Sequence, residues 1–168
     1  VGGLGRGRMG RLNAVGTLAA SVNWWANSSG VSRAVQADGK ILVGGLFTKL
    51  GGQNRSSIGQ LNANGTLDTG FNPGANSSVH SLAMQTDGEI LVGGNFSSLG
   101  GQSSPYLGRL TATTLATQAL AFDGSTVSWQ RGGSSPEVWQ TTFLSSTNGS
   151  AWLTLGSGTR IAGGWQLT

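Results

Sequence analysis

The six carboxylates are the first residues to consider for acid–base chemistry, because paired acids carry much of hydrolytic catalysis. A working pair must lie within about 5–10 Å across a substrate, and no pair is indicated by spacing here. Asp38-Gly39 and Asp87-Gly88 are typical of hairpin turns, so these aspartates are predicted to shape the backbone. Glu137, flanked by Arg131 and Trp139, is the acid that we single out for inspection. No catalytic residue is predicted, and the sequence leans away from an enzyme.

Four other residues are candidates for ligand binding: Trp24, Trp25, Arg33 and His80. The tryptophans fall in a loop between predicted strands, where exposed rings suit sugar stacking or a protein contact. The alternative is that they pack beneath a neighbouring structural unit. His80 is the sole histidine, so a catalytic triad or a histidine-based metal site has no partners. No metal and no cofactor is predicted.

Composition further limits which fold classes and which classes of partner the sequence allows. Glycine supplies 30 of 168 residues, charged residues only 10%, and cysteine none, which favours strands joined by tight turns and excludes disulfides. The net charge is +4, and the basic residues form one cluster in the sequence, Arg6, Arg8 and Arg11. A surface strand explains this cluster, so no nucleic-acid partner is predicted. No apolar run approaches the ~20 residues of a membrane span.

Internal repetition then reveals what positions these residues. Residues 12–60 and 61–109 align without a gap at a period of 49, and 27 of the 49 positions are identical, which excludes chance. Residues 1–11 fit the end of a preceding repeat, so we expect the chain to be a piece of a longer protein. Residues 110–168 leave the repeat and are interpreted as a divergent third blade or the start of a β-sandwich.

Each repeat is predicted to contain four short antiparallel strands. In the second copy these are His80–Gln85, Glu89–Phe96, the run beginning at Tyr106, and Leu67–Phe71, with a break at Leu99-Gly100-Gly101-Gln102. Four strands in every 40–50 residues is typical of a β-propeller blade, and stacked blades bury each other's faces. The double glycines, 44–45 and 93–94, are expected to end an apolar strand where neighbouring backbone or a bulky side chain approaches closely. Closed rings typically need 4–8 blades, so we predict an incomplete ring.

The runs KILVGG and EILVGG resemble the second strand of a kelch blade. LNANGTLDTGFNPGANSSV followed by LAMQTDGEILVGGNF is similar to the bacterial delta-60 repeat, a predicted propeller repeat of large secreted or surface proteins, and the likeness covers residues 1–109. This resemblance implies a propeller in an extracellular or cell-surface setting in bacteria. It implies no reaction, because the family brings no catalytic motif to these positions.

The last third contains four further strand candidates: 126–131, 137–145, 151–155 and 160–167. The four tryptophans of this segment, Trp129, Trp139, Trp152 and Trp165, are predicted to form its core. The run SSTNGSAW resembles the Asp-box turn of sialidase-type propellers, with Asn148 in place of the aspartate. Such a turn is structural, so it predicts a fold feature and no chemistry.

Taken together, these features favour a non-catalytic extracellular propeller segment that acts as a scaffold or an adhesive surface. Two alternatives stay open: a glycan-binding module that uses Trp24 or Trp25, and the propeller part of a carbohydrate-active enzyme. A glycan or another protein is the expected partner, and self-assembly is a way to complete the ring.

Overall fold

A computed structural model describes residues 26–27 and 32–168 of the chain. The predicted end of a preceding repeat (1–11), the arginine cluster, Trp24 and Trp25 lie outside the described residues. The described part contains strands and turns but no helix, so the all-β prediction is confirmed. Accordingly, it holds no helix long and apolar enough to cross a membrane.

The first two structural units, which we call blade 1 and blade 2, share one strand order. Blade 1 consists of β1 (Ser32–Val35), β2 (Ile41–Gly44), β3 (Lys49–Leu50), β4 (Gln53–Asn54) and β5 (Ile58–Leu61). Blade 2 consists of β6 (Val79–Met84), β7 (Ile90–Gly94), β8 (Ser98–Leu99), β9 (Gln102–Ser103) and β10 (Leu107–Leu110). The main sheets, β1-β2-β5 and β6-β7-β10, are antiparallel and pair in the same order.

The Asp-Gly turns join the first two strands of each blade as predicted. The Asp38 carboxylate accepts a hydrogen bond from the Lys40 amide at 3.0 Å, and Asp87 accepts one from the Glu89 amide at the same distance. The following glycines have φ angles of 80° and 89°, which a side chain would disfavour. Both aspartates therefore serve the turn, and the structural interpretation is confirmed.

The Leu-Gly-Gly-Gln segments form hairpins rather than the simple breaks that we predicted. β3 pairs with β4, and β8 pairs with β9, each across a two-residue loop made of the two glycines. All four glycines have positive φ, between 58° and 82°. Two consecutive residues at positive φ match the turn whose twist suits antiparallel strands, and glycine adopts it most easily.

The predicted fourth strand, Leu67–Phe71, is reduced to a single bridge between Leu61 and Leu67. Beyond this bridge the Asp68 amide donates to the Gln60 carbonyl, and the Asp68 carboxylate then accepts the Gly70 amide at 2.9 Å. This local bond bends the chain away from the sheet edge. Phe71 consequently turns into the space between the blades, where it is buried.

The two blades share one apolar core. Leu42 and Ile58 of blade 1 are fully buried against Val79 and Phe96 of blade 2 and against Phe71 of the connection. A Cβ on Gly44 would lie 2.5 Å from Val79 Cγ1, so the backbone approaches the next blade as the double glycine predicted. The repeat units therefore lie side by side and cover each other's apolar faces, and the described sheets do not close into a ring.

Residues 110–168 follow a different strand order. Their strands are β11 (Thr117–Phe122), β12 (Val127–Gly132), β13 (Thr142–Ser145), β14 (Leu153–Ser157), β15 (Thr159–Ile161) and β16 (Gly164–Leu167). One sheet has the order β11-β12-β16-β15, and β13 with β14 forms a second. The candidate 160–167 is thus two strands, and β11 was missed. This strand order differs from the β1-β2-β5 order of blade 1, and the two interpretations, a divergent third blade and the start of a β-sandwich, both stay predictions.

The tryptophans of this C-terminal unit do not all enter its core. Trp165 is buried and Trp129 is half-buried, but Trp139 and Trp152 are 80% and 61% exposed, so the prediction was wrong for these two. Both lie outside the strands, where the alternation of inward and outward side chains does not apply. Asn148 does organise its turn, because its side-chain oxygen accepts the amides of Ser150 and Ala151, each at 2.9 Å.

The C-terminal unit is docked on the turn side of both blades. The Ala37 amide donates to the Ser135 carbonyl at 2.8 Å, and the Glu137 amide donates to the Val35 carbonyl at 3.0 Å. At blade 2, Gly88 lies against the buried Ser134 side chain. The C-terminal unit covers this side of the blade pair, and no other described segment covers the opposite side, where the connections between β2 and β5 lie.

Candidate functional site

A groove of about 470 Å³ runs along the seam between the two blades on the side opposite the C-terminal unit. Its walls come from the connection between β2 and β5, from the chain that crosses to blade 2, and from the β8–β9 hairpin. The polar side chains that line it are hydroxyls and one amide: Thr48, Ser56, Ser57, Asn76, Ser77 and Ser98. Leu46 and Pro73 add apolar surface.

An asparagine in each repeat holds the groove wall in place. The side-chain oxygen of Asn76 accepts the amides of Ser97 and Ser98, and its nitrogen donates to Ser97 Oγ, at 2.9–3.0 Å. Asn27, 49 residues earlier, makes the equivalent bonds to Thr48 and Lys49 at 2.8–3.0 Å. Because these bonds recur in both copies, the asparagines are parts of the blade structure, and their amides are already engaged.

The groove also contains a strained backbone position. Ser57 has a φ of 62°, and the equivalent residue in blade 2, Tyr106, has a φ of 67°. A non-glycine residue in this region costs of order 1–3 kcal/mol and persists only where the surrounding structure enforces it. Here the enforcing bonds are Ser57 N–H to the Phe47 carbonyl and Gly45 N–H to the Ser57 carbonyl, each 2.9 Å.

The chemistry of the groove is that of an uncharged, hydroxyl-rich surface. No charged side chain and no histidine is among the described residues that line it. Such a lining can exchange hydrogen bonds with a neutral polar ligand and offer Leu46 and Pro73 for apolar contact. It provides neither an acid–base pair nor an ion partner for a charged ligand.

Of the predicted ligand-binding residues, Arg33 and His80 are not among those that line this groove. Trp24 and Trp25 lie outside the described residues. Arg33 is exposed on β1, and His80 is exposed on β6, where it is the extra residue of a β-bulge between Val79 and Ser81. Although β1 and β6 are neighbours, no hydrogen bond between Arg33 and His80 exists among the described residues; His80 Nε2 lies 3.1 Å from Ser78 Oγ.

Each acid in the blades has a structural partner. Asp38 and Asp87 serve the turns, and Asp68 pairs with Lys40 at 2.9 Å. Burial opposes the ionisation of Asp68, but the hydrogen bonds from Lys40 and the Gly70 amide outweigh it and hold the pKa of this carboxyl below its usual value. Glu89 lies 3.6 Å from Arg109. None of these pairs resembles two carboxylates that share a substrate.

Glu137, the acid that the sequence indicated for inspection, lies beside two arginines, Arg131 and Arg160. Its carboxylate accepts a 2.6 Å bond from Arg160 and a 3.0 Å bond from the Val138 amide. Desolvation lowers the pKa of Arg131, whereas the hydrogen bond to Glu137 raises that of Arg160, and both guanidinium groups are charged at neutral pH. The enclosed space beside them is about 10 Å³, room for about one water molecule and for no substrate.

A second groove, of about 380 Å³, lies in the C-terminal unit and is lined almost entirely by apolar side chains. Its walls include Leu120 and Phe122 from β11 and Leu144 and Leu155 from the second sheet. All four are exposed. This groove lies between the two sheets, and Ser145 is the one polar residue among the described residues that line it.

Sequence reasoning missed the seam groove because its walls come from three separate segments of both repeats. The sequence signal that could have indicated the groove is the NSS run shared by residues 27–29 and 76–78. The asparagine of each run accepts hydrogen bonds from the backbone amides 21 and 22 residues later. No cluster of three or more potential metal ligands occurs among residues 26–27 and 32–168.

Comparison with curated proteins and with solved structures gave no match. Residues 36–71 and 85–113 match the family model described as "Domain of unknown function (DUF5122) beta-propeller". The two matches begin 49 residues apart, at the equivalent residues Gln36 and Gln85, in agreement with the repeat. The two repeats are thus similar in sequence to a β-propeller family, and they form β-propeller-type blades in three dimensions.

Proposed function

We propose that this chain is a non-catalytic β-propeller segment that works as a scaffold and presents a binding surface outside the cell. The observation that carries the proposal is the engagement of all six carboxylates in turns, ion pairs or local hydrogen bonds. A propeller enzyme that hydrolyses glycosides needs at least two acids directed at one substrate. In place of such acids, the groove at the seam between the blades is the proposed recognition surface.

The proposed extracellular setting is supported by the likeness of the repeats to propeller repeats of large bacterial surface proteins. The few charged residues and the many serine, threonine and asparagine side chains agree with it. Secretion of the native parent protein, detected in culture medium or on intact cells with an antibody to this chain, is the expected result. Detection in the cytoplasm alone would contradict it.

The alternative of a carbohydrate-active enzyme is tested on purified chain. We expect no release of reducing ends and no lyase products from a panel of neutral and acidic polysaccharides. Product formation that disappears in Glu137→Gln would contradict the proposal, since that acid is the one flanked by two arginines.

A second proposal names the ligand of the seam groove as a neutral glycan. Five hydroxyl side chains beside Leu46 and Pro73 suit a polyhydroxylated ring with one apolar face, and an uncharged lining disfavours acidic ligands. From the sequence alone, Trp24 and Trp25 stay proposed as aromatic contacts for a sugar, and Arg33 and His80, both exposed, as contacts outside the groove lining.

The test is a glycan array followed by calorimetric titration of any ligand found. Ser56→Trp places a bulky ring in the groove from an exposed position and is expected to reduce affinity at least tenfold. Ser150→Trp, in the turn between β13 and β14, is the matched control and should bind as the native chain does. Trp24→Ala and Trp25→Ala test the aromatic contacts separately. No binding to any glycan, or equal losses in both tryptophan-insertion variants, would reject the groove as a glycan site.

A further inference from the structure

Blade 2 leaves uncovered the face that blade 1 buries. The equivalent positions differ sharply in exposure: Ile58 is 0% exposed and Leu107 65%, while Leu42 is fully buried and Leu91 is half-buried. Gly44 is buried against Val79 of the next blade, whereas its equivalent, Gly93, meets only groups of its own blade. The same sequence pattern therefore has a partner in one copy and none among the described residues in the other.

Strand register defines this surface, which we call the open face. Leu107, Gly93 and Ser81 lie opposite one another in one row across the three strands, and Arg109, Leu91 and Ala83 form the next row. Directly opposed residues share a face of the sheet. The open face therefore consists of these six side-chain positions, and only Arg109 among them is charged.

Blade 1 shows what the corresponding surface binds. Its equivalent rows, Ile58–Gly44–Ser32 and Gln60–Leu42–Ala34, contact or adjoin the core shared with blade 2, and Leu42, Ile58 and Gln60 are completely buried. The cover there is another three-stranded sheet. By repeat equivalence, the open face has the shape and the residue types that accept a sheet.

The opposite face of blade 1 is not available to receive it. Val43 and Leu61, which lie on that face, are completely buried in a second core with Phe47 and Leu50. Among the described residues, the central apolar side chains of this face, Val43 and Leu61, offer no exposed surface for a head-to-tail contact, in which the open face of one chain docks on blade 1 of the next. A two-fold contact between identical open faces has exposed apolar surface on both sides.

We propose that the open face of blade 2 binds the open face of a second copy of this chain. Two sheets stack at about 10 Å, with Leu107 and Leu91 of each copy covering the other. At the rim of the contact, the carboxylate of Glu89 lies 3.6 Å from Arg109 and compensates the positive charge of that side chain. Because only two rows of three residues meet, the dimer is weak and depends on concentration.

Sedimentation velocity over a concentration series of the full 168-residue chain tests this association. We expect monomer at low and dimer at high concentration, with at least a tenfold weaker dimer for Leu107→Glu. Leu107 is largely exposed, so this change leaves the core intact, and circular dichroism checks the fold. Leu115→Glu, at a position that is also largely exposed but lies outside the open face, is the control and should dimerise normally. A chain that stays monomeric throughout overturns the proposal.

A cross-linking measurement locates the contact independently. The chain has no cysteine, so Ala83→Cys introduces a single thiol on the open face and Ala119→Cys a single one on β11. A short bis-maleimide is expected to link two copies of the first variant and not of the second. Equal or reversed yields, or loss of the dimer in Leu120→Glu but not in Leu107→Glu, would assign the association to the C-terminal groove and refute the open face. Glycan binding by Leu107→Glu separates this outcome from the groove proposal.

Discussion

At the residue scale, small polar side chains in this protein mostly accept hydrogen bonds from backbone amides and so stabilise turns and connections. The side-chain oxygens of Asn76, Asp38, Asp87 and Asn148 each accept backbone amides within a turn or across a connection. Such local bonds replace the helix or ladder bonds that these segments lack. The abundance of asparagine, serine and glycine is therefore explained by turns rather than by a reaction.

Asn76 gives the most direct test of this role. Asn76→Ala removes two bonds to the amides of Ser97 and Ser98 and one to Ser97 Oγ. We expect a loss of about 1–2 kcal/mol in the free energy of unfolding by urea. Asn76→Asp retains the acceptor and should lose less. Asn72→Ala, at an exposed position nearby, is the control. An equal loss of stability there would contradict a stabilising role for the three hydrogen bonds of Asn76.

The positive φ of Ser57 predicts a stabilising substitution. Ser57→Gly removes the strain of the left-handed conformation and should raise the free energy of unfolding by about 0.5–1 kcal/mol. Ser56→Gly changes a neighbour that is not in this region and is expected to lower stability by about the same amount. The pair is compared by thermal unfolding. Stabilisation by both or by neither would show that strain at Ser57 is not the cause.

The Lys40–Asp68 pair predicts a pH dependence. The folded-state pKa of Asp68 is below its unfolded value, so the pair contributes its stability above about pH 4 and loses it as pH falls through the lower, folded value. Asp68→Asn should be less stable by about 1 kcal/mol at pH 7, and the difference should shrink in acid. Lys40→Met should lose the same pH dependence. Parallel stability curves for native and variant chains would contradict this.

At the scale of elements, the close approach of β2 to β6 joins the blades. A Cβ at Gly44 would lie 2.5 Å from Val79 Cγ1, and the Val79 amide donates to the Gly45 carbonyl at 3.0 Å. The glycine is required by the neighbour rather than by its own conformation, since its φ is not positive. The seam and the groove above it depend on this contact.

A double-mutant cycle measures that contact. Gly44→Ala is expected to cost about 1–3 kcal/mol by overpacking, and Val79→Ala should recover at least 0.5 kcal/mol of it by making room. Gly93→Ala is the matched control, because its Cβ would meet the rotatable Ser81 hydroxyl and no residue of blade 1. Chemical unfolding of the four variants gives the coupling. An additive Gly44–Val79 cycle would show that the blades do not touch there.

At the scale of the whole molecule, the C-terminal unit and the blades form one continuous structure. The segment 133–137 bonds to β1 and to its turn, and Ser134 covers the turn of blade 2. The covered turn side and the free connection side give the molecule two unlike ends. The seam groove lies on the connection side.

This docking predicts one cooperative unfolding transition. Differential scanning calorimetry of the chain should give a single peak, because residues 133–137 cannot separate without exposing the buried Ser134 and Ser135. The amides of Ala37 and Glu137, which cross the boundary, should show slow hydrogen exchange of equal rate. Two resolved peaks, with fast exchange at these amides, would show that the unit folds separately.

The sequence by itself determined the repeat and its punctuation. A period of 49, the Asp-Gly turns and the apolar runs at 41–44 and 90–93 establish antiparallel units that stack, since these signals depend on local backbone geometry and on burial. The same reasoning failed at Leu67–Phe71 and at Trp139 and Trp152. There a side-chain bond bends the chain, or the residue falls outside a strand, and no periodicity reports either event.

Only the tertiary structure decided which surfaces face each other. The seam groove, the strained Ser57 and the open face depend on how separate segments of the chain pack against one another. Ile58 and Leu107 occupy equivalent positions in two repeats that share 27 of 49 residues, yet one is buried and the other exposed. The difference arises from neighbours rather than from residue type, because burial is a property of the packed assembly and not of the sequence around a residue.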